Sequence, residues 1–352
     1  MTLVLSTTAL KDAAICLKYF QYRHIEHLTS RPSDLSPRMR RGTWIHRALE
    51  YDAHGKDYGL GLTECYTWAI QHGADAEKAN GILDECYRIL KGYFEYYAHQ
   101  PYWKWTTLWA ERTLRYTLSS GIVLQATPDR MVEWRGRPWL VEQKTTIEVP
   151  SPTWRGIDPQ TALQLVLCHL NDIPVDGVIF DYLVTREPMR PRVKKDGRFY
   201  AVSADGHTSS AAFEQAVPDV LAAWKHDDSC GAFAPDGSAS HTPVDCTDPY
   251  IESMRVNMVN DGQFYQRFEV YRAENTISET LRDAAGIART VLQAERAGHY
   301  PRIQNVLYCT RYCSMASLCA SEYIAGRPLE VMRETDYVID NPDDREGRGD
   351  IA

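Results

Sequence analysis

The sequence predicts an α/β fold, a mixed central sheet flanked by helices. Three observations carry this. Thr127–Thr146 reads as a strand hairpin, with an extended segment ending at Pro128-Asp129, a turn at Gly136 to Pro138 and the apolar run Trp139-Leu140-Val141 leading into Glu142-Gln143-Lys144. Asp158–Leu170 has a helical pattern, and the apolar run Val175–Val184 after it should return as a strand parallel to the second hairpin strand. Residues 61–98 and 276–297 have the periodicity of helices and supply flanking layers.

The chain has 352 residues, enough for one large domain with insertions or for two smaller ones. It is 44% hydrophobic and 24% charged, ordinary for a globular protein. The formal net charge is −8 and the pI is near 5.8. That balance does not advertise a nucleic-acid binder, yet a local basic groove can coexist with an acidic exterior. Arg38–Arg41 and Arg190–Lys195 are the local basic runs. No apolar run approaches membrane-spanning length, so no membrane partner is expected. The N-terminus lacks a signal-peptide pattern, so a cytoplasmic location is expected by default. Nine cysteines in such a chain are better read as core residues or metal ligands than as disulfides.

Taken in order, residues 2–28 read as a short lead-in and a helix, capped by Ser6, Thr7 or Thr8 and carrying Cys16. Residues 29–37 are loop chemistry. A helix then opens near Gly42, with His46 and Glu50 four apart on one face. Residues 61–98 are helical, with Cys65 and Cys86 in the core. From Trp103 the pattern turns toward strand, and Tyr116–Leu124, turning at Ser119-Ser120-Gly121, should be the first hairpin of a sheet. The Thr127–Thr146 hairpin follows. Residues 150–158 are a loop, and Gln160 and Gln164 share one face of the next helix. Residues 186–210, rich in Pro, Lys, Arg, Gly and Ser, read as an excursion over the surface. A helix at 211–226, a loop at 227–248 holding Cys230 and Cys246, a strand at Phe264–Tyr271 and a long helix ended by Gly298 complete the body. Residues 334–352 read as a disordered acidic tail.

The chemistry concentrates in the Thr127–Thr146 hairpin. Strand side chains alternate, so Glu142 and Lys144 share a face and Gln143 points away. Asp129 can come alongside them across the hairpin. Neighbouring carboxylates repel unless a cation sits between them, and hard cations prefer oxygen ligands. A metal there can activate water and steady phosphoryl charge, and a lysine beside it can orient the water or offset negative charge. A second anchor is Cys309, Cys313 and Cys319. Three cysteines are an incomplete set for iron–sulfur or zinc, which usually take four ligands. Cys16 could supply the fourth.

Pro128-Asp129 followed by Glu142-x-Lys144 resembles the PD-(D/E)xK nuclease superfamily. Gly42, His46, Leu49 and Glu50 are similar to the Gly-x-x-x-His-x-x-Leu-Glu helix that RecB-type members carry before their catalytic hairpin. The resemblance implies a restriction-endonuclease-like core at about 40–185. It implies that His46, Asp129, Glu142 and the Gln143 carbonyl hold Mg²⁺ or Mn²⁺, that Lys144 orients or activates water, and that Gln160 positions substrate or Lys144. RecB-type members place Gln-x-x-x-Tyr in the helix after the lysine strand. Here Gln160 is followed by Gln164, or Gln164 by Cys168, and the tyrosine is missing either way. Iron–sulfur members, of AddB and CRISPR-adaptation type, use one cysteine before the core and three after it. The resemblance thus assigns Cys16, Cys309, Cys313 and Cys319 to a 4Fe-4S cluster, with Zn²⁺ as the alternative, joining segments 6–28 and 300–323. In those members two residues separate the first two late cysteines; here there are three.

The expectation is one nuclease domain over 1–333. It would be a metal-dependent deoxyribonuclease, an exonuclease on DNA ends or single strands in recombination, repair or phage DNA processing. No helicase motif is evident, so unwinding would fall to a helicase or recombination partner. The contrasting expectation is a DNA-binding or assembly subunit that keeps the fold and cluster without useful catalysis.

Overall fold

Trp134 and Arg137 pair across a two-residue turn, Arg135-Gly136, with φ of 54° and 72°. Positive φ at both central positions gives a turn whose twist matches the flanking strands. The turn therefore lies earlier than the expected Gly136 to Pro138, and Arg137 and Pro138 belong to the second strand. This hairpin lies at the centre of a computed structural model that describes residues 3–30, 37–192, 208–224, 243–273, 275–303, 305–322 and 329–339.

The strands in chain order are β1 Val4–Ser6, β2 Leu28–Ser30, β3 Thr106–Ala110, β4 Leu114–Thr117 and β5 Val123–Ala126, then β6 Arg130–Trp134, β7 Arg137–Thr146, β8 Gly177–Val184, β9 Tyr265–Val270 and β10 Tyr337–Ile339. The main sheet has the order β3-β6-β7-β8-β9. β7 and β8 run parallel, as expected after a helical crossover, and the other pairs are antiparallel. All eight residues of β8 are buried, as its unbroken apolar run requires for a strand covered on both faces.

The β7 alternation sorts the two layers. Leu140 shares a core with Leu163, Phe180, Ala288 and Leu10, beneath the helices Thr7–Ile15, Pro159–Leu170 and Asn275–Ala297. On the other face, Leu183 packs with Ile45, Leu49, Ile89 and Tyr93 beneath the helices Pro37–Ala53, Tyr58–Gln71 and Ala76–Ala98. The result is a mixed sheet between two helical layers.

The Tyr116–Leu124 hairpin forms, with Gly121 in its turn, but not within the main sheet. Its strands β4 and β5 make a separate sheet with β1, which pairs parallel to β5. Burial of Leu5 and Leu124 in that seam explains the pairing. Ser6 caps the first helix, its Oγ accepting from Ala9 N at 3.1 Å. That helix breaks at Cys16, which is extended (φ −160°, ψ 116°) before a second helical turn begins.

Several loop assignments change. Within 150–158 a helix spans Pro152–Ile157. The 211–226 helix is two pieces, Ser210–Glu214 and Val217–Trp224, and residues 225 and 226 lie outside the described ones. The loop expected through 248 gives way to a helix, Pro243–Met258, because Ile251 and Met258 bury against Phe213 and Val220. Cys230 and most of the basic excursion at 193–207 lie outside the described residues; Arg190 is turned to Asp219 at 2.7 Å. Residues 334–339, assigned to the disordered tail, form the end of the helix Leu329–Asp336 and strand β10. The reason is pairing with β2 and burial of Tyr337. Residues 340–352 lie outside the described ones.

Candidate active site

The site forms where β6 begins and β7 passes it. Arg130 pairs with Val141, which brings Asp129 beside Glu142. Asp129 is buried, and its Oδ2 accepts the Gln143 amide at 2.7 Å, locking the carboxylate to the neighbouring strand. Burial raises the Asp129 pKa, with Glu111 adding to it, while His46 and the Gln143 amide oppose.

His46 reaches the site from the Pro37–Ala53 helix. Two contacts seat that helix against the sheet. Arg130, almost fully buried, donates to Leu49 O at 2.8 Å and to Asp52 Oδ2 at 3.1 Å. Gly42 lies so close to β7 that a Cβ would stand 2.9 Å from Thr145 Oγ1, so the helix approaches through a position without a side chain. His46 Nε2 then lies 3.6 Å from Asp129 Oδ1 and 3.3 Å from Glu111 Oε1.

Glu111 is the residue that sequence reasoning missed. It follows β3, and its amide donates to Asp129 O at 3.2 Å. The β3–β6 register slips by one at Leu108, and this bulge sets Glu111, rather than Ala110, opposite Asp129. Its φ is +48°, a strained value for a glutamate and of the kind that gathers at functional sites. His46, Glu111 and Asp129 offer ligand atoms all within 4.8 Å of one another. An imidazole nitrogen and two carboxylates are a donor set that could hold a metal ion. Burial opposes charge on the imidazole, but Asp129 and Glu111 outweigh it and lift the His46 pKa to about 9.

Glu142 sits differently from the expected ligand. Its side chain is 2% exposed and both oxygens are engaged by the chain. Oε1 accepts from Lys144 Nζ and from Gln160 Nε2 at 2.8 Å; Oε2 accepts from Gln164 Nε2 at 2.9 Å. Burial, then the neighbouring Asp129, pushes the Glu142 pKa up to about 7 against the pull of Lys144. Lys144 also donates to Gln160 Oε1 at 2.9 Å. Burial works against its ammonium, yet Glu142 and Asp129 raise its pKa, so it is charged. Both glutamines therefore converge on Glu142, whichever of them fills the motif position. The Gln143 side chain points to the opposite face, its Nε2 buried with no hydrogen-bond partner among the described residues, beside a small cavity also lined by His46.

The four cysteines come together from both ends of the chain. Cys16, Cys309, Cys313 and Cys319 line one cavity of about 420 Å³. Arg302 Nε lies 3.1 Å from Cys319 Sγ. Tyr22 donates to Glu322 at 2.6 Å and Lys18 pairs with Glu322 at 3.0 Å, so polar contacts brace the same junction.

A buried carboxylate–lysine strand beside a histidine–carboxylate trio defines a site for metal-assisted phosphodiester chemistry. The chain belongs to the PD-(D/E)XK nuclease superfamily, whose family model matches residues 4–320. Among solved structures the chain is similar to a crystal structure of a "putative exonuclease" from Eubacterium rectale, at 10% identity, with a TM-score of 0.47, covering 94% of this chain and 92% of that one. No functionally curated protein matches it.

Proposed function

We propose that this nuclease is a metal-dependent deoxyribonuclease of the RecB type, an exonuclease acting on DNA ends or single strands. The observation that carries the reading is the convergence of His46, Glu111 and Asp129 beside the Glu142–Lys144 pair. These three residues would hold a divalent ion, with the Gln143 carbonyl and Glu142 as further donors once Glu142 turns from the glutamines. When bound, Mg²⁺ or Mn²⁺ supplies Lewis-acid activation of water and of the scissile phosphate.

The chain's own groups then have distinct tasks. His46 must be neutral to offer a lone pair, so it gives up its proton as the site fills. Lys144, held charged by Glu142, orients the attacking water and offsets charge developing on the phosphate; a persistently protonated amine is an electrostatic group rather than a base. Gln160 bridges Lys144 and Glu142 and fixes their spacing. Gln164 anchors the far oxygen of Glu142.

Cys16, Cys309, Cys313 and Cys319 would hold a 4Fe-4S cluster, supported by the four-thiol donor set around one cavity and by the Arg302 guanidinium, which offsets thiolate charge. The site would serve recombination, repair or phage DNA processing beside a partner that unwinds DNA. The test is cleavage of DNA across a Mn²⁺ titration by wild type, His46→Ala and Glu111→Gln. The variants should need more metal for the same rate; unchanged metal dependence in both would overturn the ligand assignment.

A further inference from the structure

A cavity of about 1100 Å³ opens beside Lys144, on the β7 face that carries Glu142. That is at or above the size of sites that take one drug-sized ligand. Its near wall is Lys144–Thr146, its floor includes Leu10, Tyr182 and Ile287, and its rim carries Trp154 and Ile157. Trp154 is 66% exposed and Ile157 59%.

Their segment is firmly held. Arg272 donates to Gly156 O, to Asp158 O at 3.1 Å and to Thr161 Oγ1 at 2.8 Å. Arg155 donates to Pro150 O at 2.6 Å and its guanidinium lies 3.8 Å from the centre of the Phe268 ring. A large aromatic presented to water by a braced segment is a preformed contact surface.

The cavity carries charges of both signs on otherwise apolar walls. Glu279 and Asp283 stand on the wall formed by the Asn275–Ala297 helix. Carboxylates there repel phosphates, whereas they accept hydrogen bonds from the amino groups of bases. The cavity's cations are Lys144 at the catalytic end, the exposed Lys11 on the Thr7–Ile15 helix, and Arg155 and Arg272, whose guanidiniums are engaged by backbone carbonyls of the 150–158 segment. Lys144 and Lys11 can meet phosphates, which leaves the apolar walls and Trp154 for bases. Paired bases are stacked and hydrogen-bonded within a duplex and cannot enter such a cavity. Aromatic stacking holds unpaired bases of any identity.

We propose that this cavity receives unpaired bases of the strand being cut, with the base next to the scissile phosphate stacked on Trp154. The inference rests on the nuclease reading above and gives it a substrate form, a strand whose terminal bases are free. Trp154 is a binding residue here, outside the reacting atoms.

The experiment measures binding of a labelled single-stranded oligonucleotide in EDTA, and its cleavage with Mn²⁺. Wild type, Trp154→Ala and Trp154→Phe are compared, on intact strands and on strands with abasic sites near one end. Trp154→Ala should bind intact strands about 5- to 150-fold more weakly, the range for losing one stacked base. Trp154→Phe should recover most of the loss. Abasic strands should bind wild type as weakly as intact strands bind Trp154→Ala, with little further loss in the variant. Equal binding of intact and abasic strands by wild type, or unchanged binding by Trp154→Ala, overturns the proposal. Cleavage without base-dependent binding leaves the catalytic reading standing and removes the pocket; base-dependent binding without cleavage does the reverse.

Discussion

Glu111 shows how a single carboxylate is placed by backbone geometry rather than by a motif. The bulge at Leu108 and the positive φ of Glu111 together turn its side chain toward His46 and Asp129. Glu111→Gln keeps the shape and removes the charge, so the fold should persist while Mn²⁺ binds at least about tenfold more weakly in calorimetry. A second prediction concerns pH. Folding raises the pKa of Glu142 from 4.5 to about 7 and that of His46 from 6.5 to about 9. Without metal, the folded state then binds more protons than the unfolded one, and this contribution to stability is lost as pH rises through those values. A bound cation favours the deprotonated forms, so the sign reverses. The rise in Tm on adding Mn²⁺ should grow from pH 6 to pH 9; a constant rise would contradict the proton release assigned to His46. Strand alternation put Glu142 and Lys144 on one face with Asp129 across the hairpin, whereas His46 and Gln160 were singled out by their resemblance to the nuclease motifs. Glu111 was not legible, since a one-residue bulge decides its facing and leaves no compositional mark. The motif left open which of Gln160 and Gln164 is its glutamine, and only the geometry shows that both bond Glu142 directly.

At the scale of elements, the site depends on how tightly β7 and β8 are sandwiched. Gly177 begins β8, where a Cβ would stand 2.6 Å from Val270 O and 2.7 Å from the Trp139 ring. Backbone and a buried indole cannot step aside freely. Gly177→Ala should therefore destabilise the fold by about 1–3 kcal/mol, read as a lower denaturant midpoint with an unchanged slope. The elements that sequence showed well are those with long, regular patterns, namely β7, β8 and the helices Pro159–Leu170 and Asn275–Ala297. The three-residue strands β1, β2 and β10 are too short to show alternation. They exist because a partner strand is nearby, which is tertiary information. The Pro243–Met258 helix was hidden for a related reason, since it packs against Phe213 and Val220, contacts that only the tertiary fold supplies.

Across the whole molecule, the two ends of the chain meet twice. β2 pairs with β10, and Cys16 shares a cavity with Cys309, Cys313 and Cys319. Tyr19, Tyr22, Leu28, Met315, Leu318 and Tyr337 form the core beneath that junction. Cys16 and the late cysteine triplet suggested a clasp from sequence, but of the strand pair that reinforces it β2 lay at a helix end and loop and β10 in a segment read as tail. Anaerobically purified protein should be brown and contain iron, and Cys16→Ser should lose both colour and iron while lowering Tm. A colourless wild type with stoichiometric zinc would replace the cluster by the zinc alternative.

We propose that the Glu142–Lys144 strand and the His46–Glu111–Asp129 trio form one nuclease centre. Its most direct test is cleavage of end-labelled single-stranded and duplex DNA by anaerobically purified protein, with Mn²⁺, Mg²⁺ or EDTA, beside Lys144→Ala. Cleavage should require metal and fall by at least about 100-fold in a folded Lys144→Ala protein, the scale of losing one positioned electrostatic group. Full activity in that variant, or no cleavage by a folded, metal-supplied wild type, would contradict it.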